Sequence, residues 1–165
     1  MIELLAMRHA KSDWGVAAAD RERPLAPRGV KAAKRMGRAL TRIGAEPELM
    51  LTSPAVRARA TAELAAAAGG WQAAIRVVPG FYGGAWSDVT AGIAAARPSV
   101  QRIMVIGHEP TWSDLVAALC GGGRVTMPTG AVACLRIDDT DWTALGPGCA
   151  ELRWHLTPAT LRSLL

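Results

Sequence analysis

Three short segments of this chain carry the residue types that phosphoryl chemistry needs. Arg8-His9-Ala10-Lys11-Ser12-Asp13-Trp14 comes first, Ser53-Pro54-Ala55-Val56-Arg57 second, and Gly107-His108-Glu109-Pro110 third. An arginine presents a planar fork of N–H donors that pairs bidentately with phosphate oxygens. Two of them, Arg8 and Arg57, can hold the three non-bridging oxygens over which charge spreads in phosphoryl transfer. A neutral imidazole is a competent nucleophile near pH 7, and cations beside His9 disfavour its imidazolium form. The second imidazole, His108, can donate to a phosphoryl oxygen. The expected catalytic set is therefore His9, Arg8, Arg57 and His108. Arg8, Arg57 and His108 also bind the phosphoryl group, and Ser12 either touches phosphate or shapes the loop after His9.

Other residues of the same types read differently. His155 falls in a late strand and is structural. Arg59 reads as a solvated helix residue or, as the less favoured alternative, a cation on the rim of the site. Arg21, Arg23 and Arg28 either line the groove or pair with Asp20 and Glu22 at the surface, and the surface pairing is the favoured reading. Trp14 and Trp86 are placed in loops walling the site, whereas Trp112 has helical spacing with Leu115, Val116 and Leu119 and belongs to the core.

Residues so far apart in sequence meet only if strands deliver them to one edge. Apolar runs predict strands over 2–7, 49–52, 75–78 and 102–107, and the Ile-Met-Val-Ile run reads as a central parallel strand. Helical segments are expected over 27–43, 54–68, 87–96 and 110–119. Two later strands, 131–137 and 150–156, suggest an antiparallel edge, and a last short helix starts near Pro158 with Thr157 as its N-cap. The pattern predicts one α/β domain over 1–165: a three-layer α/β/α sandwich with a mostly parallel sheet and antiparallel edge strands. In such sheets ligands sit beyond the carboxyl ends of the strands. Those ends are where the three segments lie.

Composition bounds the alternatives. The chain has 165 residues, half of them hydrophobic and a fifth charged, with 19 Lys plus Arg against 14 Asp plus Glu. Disorder is excluded by that balance, and no uninterrupted apolar stretch approaches the roughly 20 residues of a membrane span. The basic residues are scattered, with only one Tyr and one Phe available to stack bases. No nucleic-acid partner is therefore expected. The three cysteines, Cys120, Cys134 and Cys149, form no C-x-x-C and suggest a reducing, cytoplasmic setting.

Arg8-His9-Ala10 directly after a strand resembles the R-H-G signature of the histidine phosphatase superfamily, the phosphoglycerate mutase-like proteins. Ser53-Pro54-Ala55-Val56-Arg57-Ala58-Arg59-Ala60-Thr61 resembles that family's S-P-x-x-R-x-x-x-T segment, and Gly107-His108 its late G-H motif. The short length, the R-H-A-K-S-D-W run, Arg23-Pro24-Leu25 and Arg28-Gly29 are similar to the SixA-type phosphohistidine phosphatases. The resemblance implies that His9 attacks phosphorus and becomes transiently phosphorylated, with Arg8, Arg57 and His108 on the phosphoryl oxygens. It implies no metal and no cofactor. The implied partner is a protein carrying phosphohistidine, or a small phosphorylated substrate.

Two departures stand out. Ala10 replaces the signature glycine, and Gly15 stands where mutase-like members carry an Asn. The segment Phe81-Tyr82-Gly83-Gly84 also lacks the carboxylate that many members place after the third strand as general acid; Asp88 and Glu109 are the nearest. A site without an acid favours leaving groups that need little protonation, and imidazole is one. Three alternatives remain open from sequence: a phosphatase of small phosphate esters, a catalytically silent phosphate-binding adaptor, and a metal-dependent hydrolase built on His9, Asp13, His108 and Glu109.

Overall fold

The computed structural model describes residues 1–96 and 98–164. The strands β1 (Ile2–Arg8), β2 (Leu49–Thr52), β3 (Ala74–Val77), β4 (Arg102–Gly107), β5 (Val132–Ile137) and β6 (Ala150–Leu156) form one sheet in the order β3-β2-β4-β1-β5-β6. The first four pair in parallel, and β5 and β6 add on antiparallel. Thus β6 is the antiparallel edge, while β5 is flanked on both sides and has apolar residues buried on both faces.

Alternation along the central strands feeds two apolar layers. Leu4 and Ala6 of β1, with Ile103 and Val105 of β4, pack on one face; Leu5 and Met7, with Met104 and Ile106, pack on the other. The first face is covered by α3 (Trp86–Ala95) and α4 (Thr111–Leu119). The second is covered by α1 (Pro27–Arg42), α2 (Val56–Gly69) and α5 (Pro158–Leu164). This is the expected three-layer sandwich. The alanine richness of α2 has a packing cause. Ala58, Ala62 and Ala65 are fully buried, and a Cβ on Gly37 of α1 would overlap the Ala65 backbone, so the two helices touch nearly backbone to backbone.

Several element bounds differ from the sequence reading. Helix α2 begins at Val56 rather than Pro54, because the Ser53 hydroxyl accepts from Ala55 N (3.2 Å) and holds a turn ahead of the helix. Helix α4 begins at Thr111, with Pro110 as its N-cap rather than in its first turn. Trp86 is not in a loop; it opens α3 and packs on the core. Trp112 is fully buried as expected, its indole N–H donating to Val105 O (3.1 Å). Thr157 caps α5 through Thr160 N (3.1 Å). No described helix is long and apolar enough to cross a membrane.

Candidate active site

Parallel registration brings the three segments level. Arg8 pairs with Gly107 at the ends of β1 and β4, and Thr52 with Ile106 at the ends of β2 and β4. The ladder runs one residue further: His9 N donates to Gly107 O (2.9 Å) and Ser53 N to Ile106 O (3.0 Å). His9, Ser53 and His108 therefore leave the sheet side by side. Arg57 enters from the first turn of α2. Thr61, one turn on, accepts from Ala10 N (3.0 Å) and donates to Arg57 O (2.7 Å), so the helix start is fixed to the residue after His9.

The side chains then fix one another. The His9 Nδ1–H donates to Ala10 O (2.7 Å), and Arg57 Nε donates to His9 Nε2 (3.3 Å). Together these select the tautomer that keeps the Nε2 lone pair outward, toward the cavity. The two imidazole centroids are 5.2 Å apart. Arg57 Nη2 lies 3.4 Å from His108 Nδ1, and His108 Nε2 is 2.7 Å from the Ser53 hydroxyl. Arginine only donates, so His108 Nδ1 accepts from Arg57 in this arrangement and the Nε2–H donates to Ser53. Because a hydroxyl both donates and accepts, Ser53 can also support the Nδ1–H tautomer once Arg57 Nη2 turns to another acceptor. Arg8 Nη1 donates to Met127 O (3.0 Å), while its Nε is buried with no hydrogen-bond partner among the described residues.

Arg8, His9, Arg57 and His108 line a cavity of about 200 Å³ that also takes in Lys11, Ser12 and Arg23. Four cationic side chains, Arg8, Lys11, Arg23 and Arg57, face it against two carboxylates, Asp20 and Glu109. Ser12 is buried and its backbone bridges to Leu25. Arg8, His9, Ser12, Arg57 and His108 are thus all brought together. The proposed metal-ligand set is not assembled: the Asp13 carboxylate turns back to Gly15 N (2.9 Å) outside the cavity. Among the described residues no cluster of His, Cys, Asp and Glu is placed to hold a metal.

Sequence reasoning missed part of this site. Arg23 pairs with Asp20 as expected (2.9 Å), but the pair is not at the surface: the arginine is buried, stacked 3.6 Å from the Trp14 ring, and takes the groove-lining place that was the less favoured reading. Asp20 is the hub. Its carbonyl accepts from Arg57 Nη1 (2.6 Å), and its carboxylate accepts from Arg57 Nη2 (3.2 Å) and the Tyr82 hydroxyl (2.6 Å). The Tyr82 ring in turn meets His108 edge-on at 5.6 Å. Asp20 and Tyr82 lie outside every motif, and only the fold-back of the loop after β1 shows them. The one available signal was the Asp-x-x-Arg spacing of Asp20 and Arg23. Of the two carboxylates weighed as acids, Asp88 is not in the cavity and caps α3 through Ala85 N (2.7 Å). Glu109 lies in the wall with both oxygens held by the Ser113 amide and hydroxyl. Arg59 is exposed, as read from sequence.

Electrostatics agree with the geometry. Burial, with His108 and both arginines adding, lowers His9 to about 3. Burial and Arg57 lower His108 to about 4. Both imidazoles are neutral at pH 7. Asp20 is held well below the carboxylate range by its bonds to Tyr82, Arg23 and Arg57, so it is ionised. A stability consequence follows. An unfolded His9 binds its proton near pH 6.5 and a folded one only near 3, so between those values the unfolded state holds more protons and stability falls as pH falls. Between pH 6.5 and 4.5 the His9 share is on the order of 2 kcal/mol. Thermal melts should therefore show His9→Asn losing several degrees less than the wild type over that interval. Equal losses would mean His9 is not buried neutral.

The family model of the histidine phosphatase superfamily (branch 1) matches residues 4–98. The chain belongs to the histidine phosphatase superfamily. Within this superfamily it is 29% identical to phosphohistidine phosphatase SixA of Escherichia coli (strain K12) over 164 residues, covering 98% of this chain and 97% of that one. It is 36% identical to an uncharacterized protein of Mycobacterium tuberculosis (strain ATCC 25618 / H37Rv) over 156 residues, covering 88% and 96%. The structure of the protein histidine phosphatase SixA complexed with tungstate superposes at a TM-score of 0.84 and 28% identity, covering 97% of this chain and 99% of that chain. The alpha-ribazole phosphatase of Shigella flexneri shares the fold at a TM-score of 0.66 and 18% identity, covering 95% and 97%. This histidine phosphatase is SixA-like in both sequence and fold.

Proposed function

We propose that the protein is a metal-independent phosphatase that works through a phosphorylated His9, and that its substrate is phosphohistidine on a protein. The observation that carries this reading is the His9 imidazole: neutral, held by Ala10 O through Nδ1, with Nε2 facing a cavity ringed by guanidinium groups. In the first step Nε2 forms a bond to phosphorus as the bond to the leaving group breaks, the electron pair departing with the leaving atom. Arg8 Nε and the Arg57 guanidinium stabilise charge on the transferring oxygens. Once Arg57 Nη2 turns from His108 to the phosphoryl group, His108 takes the tautomer with Nδ1–H, its Nε2 accepting from the Ser53 hydroxyl, and donates to a third oxygen. Water then displaces phosphate from His9 and restores the neutral imidazole. Asp20 acts through Arg57, turning its Nε toward His9.

The phosphohistidine preference rests on the absence of an available acid among the described residues of the cavity. Asp20 is ionised with three donors on its carboxylate, and both Glu109 oxygens are occupied. An alkoxide gains much from a positioned acid, whereas a phosphohistidine ring already protonated at its other nitrogen, as an ordinary imidazole pKa of about 6.5 allows, leaves as neutral imidazole without one. Likeness to proteins named phosphohistidine phosphatase and protein histidine phosphatase supports the same substrate, and tungstate, bound in the SixA structure, is a tetrahedral oxyanion. The test is a comparison of kcat/KM on a phosphohistidine protein, p-nitrophenyl phosphate and an alkyl phosphate. The expected order is phosphohistidine above aryl, with the alkyl ester lower by at least about 100-fold. Alkyl esters turned over faster than phosphohistidine would replace this reading with a small-ester phosphatase.

A further inference from the structure

A second cavity of about 310 Å³ adjoins the candidate active site. Lys11 and Thr129 line both, and Arg28, Thr157, Pro158 and Arg162 complete its charged and polar wall. We propose that this cavity is a substrate subsite for a carboxylate, taking an acidic side chain that flanks the phosphohistidine of the substrate protein. The proposal rests on the phosphohistidine reading and adds a sequence preference to it.

Charge is the first argument. Arg23, Arg57, Arg102, Arg136 and Arg153 each pair with a carboxylate, most other described lysines and arginines do not, and three of the latter share this one cavity. Among the described residues Lys11, Arg28 and Arg162 pair with none, and no carboxylate lines the cavity. Three cations grouped around one concavity without a counter-charge repel one another, and a bound anion relieves that repulsion.

The site is also built on rigid parts. Ala26 N donates to Lys11 O (2.9 Å), and a Cβ on Gly29 would overlap that same carbonyl, so the start of α1 is pressed onto Lys11 and carries Arg28 beside it. On the other side Gly130, at φ +76°, donates to the carbonyls of Arg8 and His9 while abutting Pro158 of α5. The buried Leu161 anchors α5 and places Arg162. One short wall around Thr129 and Gly130 thus separates the two cavities and is tied to His9 itself.

Size gives the third argument. At about 200 Å³ the phosphoryl cavity is smaller than a typical ligand site of roughly 300–1,000 Å³. It admits the phosphoryl group and part of its imidazole, and the rest of a protein substrate must lie across the rim. Side chains one helical turn apart, about 5–6 Å at Cβ, suit two cavities that share a wall.

The test uses two phosphohistidine peptides differing only in Glu or Gln at the flanking positions. The wild type should favour the Glu peptide about tenfold in kcat/KM, mainly through KM. In Arg28→Ala/Arg162→Ala that preference should shrink to within about twofold, with p-nitrophenyl phosphate turnover unchanged. Arg42→Ala, which removes the same charge about 21 Å away along α1, should keep the preference. Arg28→Gln alone reads the same ratio if the double variant is unstable. Equal kcat/KM on both peptides in the wild type, or an equal loss on both in the double variant, overturns the subsite. Hydrolysis of neither peptide alongside normal p-nitrophenyl phosphate turnover overturns the phosphohistidine reading, and the subsite with it.

Discussion

His9→Ala is expected to lower kcat by at least about 10⁴-fold on every phosphorylated substrate, because it removes the atom that bonds to phosphorus. The fold should survive. His9 is 6% exposed, and its backbone ladder to Gly107 does not involve the side chain. The substitution also deletes a buried neutral imidazole that the folded state protonates only near pH 3. Steady-state turnover with a melt run in parallel checks this. A correctly folded His9→Ala enzyme with more than about a hundredth of wild-type kcat would exclude His9 as nucleophile.

Arg57→Ala should cost about 10²–10³-fold in kcat, the scale found when one preorganised donor to transition-state charge is removed. Three contacts of Arg57 explain why the loss exceeds that of a surface cation. Its Nε sets the His9 Nε2 lone pair, its Nη2 approaches His108, and its outer edge is clamped by Asp20. Arg57→Lys should recover only a small part, because an ammonium keeps the charge but cannot present a planar fork to both imidazoles and a phosphoryl oxygen. KM for a small aryl phosphate should move far less than kcat. Single-turnover rates separate the two effects. A tenfold loss or less in Arg57→Ala, or full recovery in Arg57→Lys, would reduce Arg57 to a general positive charge.

The parts of this site that sequence made legible are those fixed by local pattern. Continuous apolar runs marked β1 and β4 as central strands, and parallel pairing then placed His9 and His108 at one edge. The segment from Ser53 to Arg57 follows directly on β2, which placed Arg57 near the same edge, although the residues expected to start α2 form a turn instead. What stayed hidden depends on chain reversal without periodicity. The loop after β1 folds back through Asp13 N to Pro24 O (2.8 Å) and Ala26 N to Lys11 O (2.9 Å), carrying Asp20 onto Arg57 and Arg23 under Trp14. The segment mixes charged residues with Trp14, Val16, Ala17, Ala18, Ala19 and Leu25 in neither helical nor strand period, and so gives no hint of that path. Trp14, 70% exposed yet stacked on a buried arginine, shows how a residue solvated on one face closes a site on the other. Tyr82 is hidden for the opposite reason: the segment after β3 carries no carboxylate of its own, and its polar group is a phenol bonded to the carboxylate of Asp20.

The central claim is a phosphoryl group carried on His9, and rapid-quench trapping tests it most directly. Wild-type enzyme mixed with ³²P-labelled substrate, stopped in alkali within its first turnovers and digested, should yield one labelled peptide. That label should be acid-labile, base-stable and located on the His9 imidazole. Label on another side chain, or product release with single-turnover inversion at phosphorus and no labelled protein, would contradict the account.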